Sequence, residues 1–134
     1  TQMAKAGINK TILASLGGEV HCFMSDPDVA QEARSRGVTR AFVSMEKAAA
    51  LEKPCIFAIG NAPTALLSLE QLMEEGKAAP ALIIGVPVGF VNVEISKERI
   101  IEKARAPYIV ARGRKGGSNV AAAICNALLY QIRR

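Results

Sequence analysis

Alternating apolar runs and helix-type segments predict an α/β fold, with three α/β/α layers built on a mainly parallel, Rossmann-like sheet. Two observations carry this. Short apolar runs at residues 20–24, 54–60, 81–88 and 108–112 are separated by segments with helical start and stop signals. Half the residues are hydrophobic but only 4% are aromatic, so the core is built from Ala, Val, Ile and Leu. Such aliphatic strands suit a sheet covered on both faces. A length of 134 residues fits a single domain spanning 1–134 with a sizeable core, and no internal repeat, low-complexity tract or linker interrupts it.

The elements follow in order. Residues 1–19 read as a loop and a short helix rather than an opening strand, and 20–24 as the first strand. Ser25-Asp26-Pro27-Asp28 offers a cap, a first-turn proline and acidic first-turn charge, and Gly37 closes the helix that follows. A shorter helix is expected at 44–52. After the strand at 54–60, Asn61 can cap a helix that tolerates Pro63 in its first turn; Leu66, Leu69 and Met73 recur at helical spacing, and Gly76 ends it. Another helix is expected at 96–103. In the last, Val120, Ile124, Leu128 and Ile132 form one apolar stripe.

A net charge of +5 favours polyanionic partners. Nucleic acid is disfavoured, because the cations form no long run and two Tyr, four Phe and no Trp leave little for base stacking. A small ligand with several carboxylates or phosphates accounts for the charge better. Cys22, Cys55 and Cys125 are far apart, odd in number and without a CxxC pair. They read as buried free thiols in a reducing compartment, not as a zinc site or disulfide framework. With no signal peptide and no membrane-spanning run, a cytoplasmic protein without membrane attachment is expected.

Ligands of open parallel sheets bind outside the carboxyl ends of the strands. Three loops fall there: Gly60-Asn61-Ala62-Pro63-Thr64, Pro87-Val88-Gly89-Phe90-Val91, and Gly113-Arg114-Lys115-Gly116-Gly117-Ser118-Asn119. The third joins a strand to a helix start, where outward N–H groups, the helix dipole and two cations favour an anion. Asn61 and Thr64 serve as capping residues and can meet a ligand as well. Phe90 is either a core ring or an apolar contact for the ligand. Arg40 can pair with a carboxylate in bidentate geometry. His21, inside an apolar run with no obvious Ser, Cys or Asp partner, reads as structural. No nucleophile triad or metal cluster is recognisable. The residues alone lead to an α/β domain that binds a polyanion; a phosphate- or nucleotide-binding module is the weaker alternative, since the Gly-x-Gly-x-x-Gly fingerprint is missing.

At these same residues the chain resembles the precorrin-8X methylmutase (precorrin isomerase) family of cobalamin biosynthesis. The matching segments are Gly7-Ile8-Asn9-Lys10, Asp26-Pro27, Gly37-Val38-Thr39-Arg40, Gly60-Asn61-Ala62-Pro63-Thr64-Ala65-Leu66, Gly85-Val86-Pro87-Val88-Gly89-Phe90-Val91, Ser96-Lys97, and residues 113–119 running into Ala121-Ala122-Ala123. The resemblance implies an isomerase that moves a methyl group on the macrocycle of precorrin-8X or cobalt-precorrin-8, giving hydrogenobyrinate or cobyrinate. It implies no cofactor and no metal, a carboxylate-rich tetrapyrrole substrate, and a homodimer. Arg40 matches an arginine associated with substrate binding. Gly60, Asn61, Thr64, Pro87, Gly89, Phe90, Arg114, Lys115, Gly116, Gly117, Ser118 and Asn119 carry over as substrate contacts. The family's catalytic acid is a histidine in an N-terminal portion without a counterpart in these residues, and His21 does not match it. Relatives also tend to carry a glutamate before the Ser-Lys pair, where this chain has Ile95. The catalytic residue is therefore unassigned, and a non-catalytic corrinoid-binding protein is the alternative reading.

Overall fold

The computed structural model of the chain describes residues 1–103 and 105–133. The order is α1 (Gln2–Gly7), α2 (Lys10–Ser15), α3 (Pro27–Arg36), α4 (Arg40–Ala49), β1 (Ile56–Ile59), α5 (Pro63–Glu74), β2 (Leu82–Gly85), α6 (Val93–Lys103), β3 (Tyr108–Val110) and α7 (Ser118–Arg133). The strands form one parallel sheet in the order β1-β2-β3. Ile56 lies opposite Leu82, and Ile83 opposite Tyr108.

Alternation along the strands sorts the side chains into two layers of core. Phe57, Ile59 and Ile83 face α5 and α6, packing with Leu66, Leu69, Met73 and Ile100; Ala41 brings α4 into the same cluster. Ile84 and Val86 face the other way, onto Ala121 of α7 and Ala4 of α1. Phe23 packs with Val29, Ala33 and Val43 in a third cluster between α3 and α4. Leu66, Leu69, Ile83 and Ile84 are fully buried, each worth about 1.5–3 kcal/mol of transfer free energy. Glu70 is also buried, and its Oε1 faces Arg99 Nη2 of α6 at 3.5 Å.

Three of the expected strands are present, each shorter than its apolar run. The fourth is not: residues 20–24 form no strand. A strand needs a ladder partner, and here the side chains have found another use. Phe23 joins the α3–α4 cluster, and Met24 Sδ accepts a hydrogen bond from Ser44 Oγ at 3.2 Å. The helix expected at 44–52 begins earlier, at Arg40, because Thr39 Oγ1 caps it by accepting from Phe42 N at 3.0 Å. Likewise α6 begins at Val93, not residue 96. Asp26 holds the N-cap position of α3 without a capping bond; its carboxylate is taken by Lys47 Nζ at 2.8 Å. Asn61 is not the cap of α5, where Ala62 stands.

The stripe foreseen on α7 holds only in its middle, where Ile124 and Leu128 pack against the cluster of Ala4, Ile84, Val86 and Ala121. Val120 and Ile132 are exposed, whereas Ala121, Ala122 and Leu129 are buried and Cys125 and Leu128 half-buried. Small residues let α7 lie close against α1 and the sheet, and that contact selects the buried face. Residues 1–19 hold two short helices rather than one. They are tied down at their ends: Thr1 Oγ1 and Ser118 Oγ are 2.6 Å apart, and Asn126 accepts from Asn9 N and donates to Gly7 O. The three cysteines are free but half-buried, less enclosed than expected.

Candidate functional site

The sheet's hydrogen-bond pattern continues past the strand ends and draws the three loops together. Val86 N donates to Ile59 O at 2.9 Å, and Val88 N donates to Asn61 O at 3.1 Å. Thus the loop after β2 is stitched to the loop after β1. Gly117 N donates to Val86 O at 2.9 Å, which adds the turn before α7.

Two close approaches require glycine. A Cβ on Gly60 would lie 2.8 Å from Gly117 O and 2.9 Å from Ser118 Cα. On Gly116 it would lie 2.2 Å from Val86 O. The glycines foreseen as ligand-facing turns therefore also fit one loop against the next. Residues 60–64, 87–91 and 113–119 form one continuous rim at the carboxyl edge of the sheet, where ligands of such sheets bind.

The individual side chains divide by exposure. Asn61 and Thr64 are exposed at the start of α5, as are Arg114, Lys115 and Asn119. Pro87 is fully buried. Phe90 is 84% exposed, which excludes the core-ring alternative; Val91 and Ile95 are exposed near it in sequence. Arg114 spans this apolar corner. Its Cζ sits 5.8 Å from the Phe90 ring centroid, and its Nε lies 3.3 Å from Glu94 Oε1. Both partners of that ion pair are more than half exposed, so it is weak and exchangeable.

Arg40 opens α4 and lines a shallow hollow with Arg34 over Ala30, Ala33 and Val38. None of the described hydrogen bonds or ion pairs joins it to the three loops. His21 lies outside them too: its Nε2 is 3.3 Å from Glu19 Oε2 and its ring stacks on Phe23 at 5.6 Å.

Beneath the rim lies Lys97, part of the matching segment Ser96-Lys97, whose role the sequence alone did not reveal. It is fully buried on α6, and its Nζ donates to Gly113 O and Lys115 O, both at 2.8 Å. Burial pushes the ammonium below the ordinary lysine value, opposed by the charge of Glu94. The signal in the sequence was a lysine at i+4 from Val93 and i−3 from Ile100, on the apolar face of a helix.

Among the described residues no group of three or more His, Cys, Asp or Glu is placed to hold a metal ion. None of the described helices is long and apolar enough to cross a membrane.

Comparison with known proteins identifies the family. The precorrin-8X methylmutase family model matches residues 1–131. A cobalt-precorrin-8 methylmutase of Priestia megaterium is 50% identical over 127 residues, covering 95% of this chain and 56% of that protein. One from Salmonella typhimurium is 48% identical over 134 residues, covering 99% and 61%. A solved precorrin-8X methylmutase structure from Thermus thermophilus superposes with a TM-score of 0.86 at 40% identity, covering 97% of this chain and 62% of that one. The chain thus spans less than two thirds of the length of these relatives. From its sequence match and its structural likeness, it belongs to the precorrin-8X methylmutase family.

Proposed function

We propose that this chain binds the carboxylate-edged macrocycle of precorrin-8X, or cobalt-precorrin-8, and orients it for migration of a methyl group to the neighbouring ring carbon. The observation that carries the reading is the union of three loops into one rim that combines cations, free backbone N–H groups and an exposed aromatic ring. A corrin precursor uses all three: the aromatic ring gives its apolar face a surface to lie on, and the cations and N–H groups hold the carboxylates at its edge. Phe90, Val91 and Ile95 supply apolar surface. Arg114 and Lys115 supply charge, and Asn61, Thr64, Ser118 and Asn119 supply polar groups. Arg40, with Arg34 beside it, offers a second grip for a carboxylate. A charged hydrogen bond of this kind is worth about 1.5–3 kcal/mol.

Binding orients the ring. Protonation of a ring nitrogen would make the macrocycle electron-poor and lower the barrier to methyl migration, which is general acid catalysis. His21, held by Glu19 and Phe23, has no part in this reading. Arg114 leaves Glu94 for the substrate, an exchange that costs little because the pair is solvent-exposed.

Two copies pair in this reading, supported by the apolar side chains that Tyr108 and Ile109 of the edge strand β3 and Val120 and Ile132 of α7 leave exposed. The free thiols suit a reducing cytoplasm. The second reading, a corrinoid carrier without turnover, is favoured by one observation: the chain's one histidine lies off the rim. Mixing the chain with precorrin-8X and following the absorption spectrum tests both. Conversion to hydrogenobyrinate supports the isomerase. Tight binding without conversion supports the carrier, and absence of binding removes both.

A further inference from the structure

We propose that Lys97 is a positioning residue that holds the turn 113–117 with the N–H groups of Arg114 and Gly116 turned outward to the substrate's carboxylates, a role that rests on reading this turn as the carboxylate grip. In a planar trans peptide the C=O of one residue and the N–H of the next point in opposite directions. Lys97 Nζ draws in the carbonyls of Gly113 and Lys115 at 2.8 Å each. The N–H groups of Arg114 and Gly116 are thereby directed away from α6. Neither donates to any described acceptor, whereas the next N–H, that of Gly117, is bound to Val86 O at 2.9 Å. One side of the turn is pinned by the lysine and its end by the sheet edge. The free donors are the ones on the outward side.

The chemistry of the pin is informative. A buried ammonium is costly unless it is paired, yet no carboxylate lies within ion-pair distance of Lys97 among the described residues; only carbonyl dipoles meet it. A tie made solely for packing could use a neutral donor or an apolar side chain. The cation instead adds positive potential at the base of a turn that already carries Arg114 and Lys115, in surroundings where the field is less screened than in water. Ser96, equally buried, donates to Val93 O at 2.8 Å within the first turn of α6.

The test follows backbone amide signals of ¹⁵N-labelled chain during titration with tricarballylate, a small tricarboxylate, and separately with hydrogenobyrinate. In the wild type the Arg114 and Gly116 amides shift with either ligand. In Lys97→Met, with circular dichroism and melting temperature retained, the same amides respond at least tenfold more weakly; Lys97→Gln, which keeps a donor, recovers part of the response. Equal responses in wild type and Lys97→Met overturn the role. So does binding in the wild type that moves other amides but leaves these two unshifted, a readout that stands even if neither variant folds. A wild type that responds to tricarballylate at both amides, with loss in Lys97→Met, but ignores hydrogenobyrinate keeps the role of Lys97 and sinks the tetrapyrrole reading instead.

Discussion

Replacing Gly116 with alanine tests the stitching of the rim at its tightest point. The added Cβ would stand 2.2 Å from Val86 O, 2.8 Å from Val86 C and 3.1 Å from Val86 Cβ. The nearest atoms are backbone at the end of β2, so no flexible side chain can give way. The turn must retreat by roughly 1 Å, and the Gly117 N–H bond to Val86 O, 2.9 Å long, is stretched or lost. Overpacking of this kind costs about 1–3 kcal/mol and the lost hydrogen bond about 0.5–1.5 kcal/mol. A total near 2–4 kcal/mol corresponds to a melting temperature lowered by about 6–15 °C for a domain of this size. The assay is a thermal melt by circular dichroism, with Gly76→Ala as the control. Gly76 has a positive φ of 74° but nothing within 4 Å of the added carbon, so only backbone strain applies, costing about 1 kcal/mol. If Gly116→Ala melted within 2–3 °C of the wild type, roughly the shift of 1 kcal/mol, the packing of the turn on β2 would be wrong, and with it the continuous rim.

The other expectations are quickly stated. Arg40→Ala weakens calorimetric binding of hydrogenobyrinate by about 1.5–3 kcal/mol; unchanged affinity removes Arg40 from the site. Phe90→Ala, altering an exposed ring, leaves chemical denaturation within about 0.5 kcal/mol of wild type while loosening the ring ligand; a stability loss of several kcal/mol would show that the ring packs inward. For pH, the Lys47 hydrogen bond holds the Asp28 carboxyl below its ordinary value of 3.8. Its contribution is present above 3.8 and is lost as pH falls through the lowered value. Lys47→Met should therefore differ most from wild type at neutral pH and converge with it in acid; a gap that widens in acid contradicts the assignment.

What the sequence made legible follows from local physics. Helix α3 was readable because Pro27 and Gly37 bracket it, and α5 because Leu66, Leu69 and Met73 repeat at helical spacing. The strands β1, β2 and β3 were readable from continuous aliphatic runs. Residues 20–24 misled because a run of apolar side chains states only that they will be buried; Phe23 and Met24 were buried against helices, without a ladder. Val120 and Ile132 misled for a related reason: which face of α7 is buried depends on how closely Ala121 and Ala122 admit α1 and the sheet, a tertiary matter. In the site, the glycine turns announced themselves as ligand loops, but that Gly60 and Gly116 also seat one loop on another needed three dimensions. Lys97 was legible as a residue and illegible as a role, since its partners are two backbone carbonyls 16 and 18 positions away.

The most direct measurement is a crystal structure of the chain with hydrogenobyrinate. The ring is expected on Phe90 with its carboxylates at the turn between β3 and α7 and at the exposed start of α5. Density for the ring over the β3–α7 face, with residues 60–64 and 113–119 untouched, would contradict a carboxylate grip at the sheet's carboxyl edge.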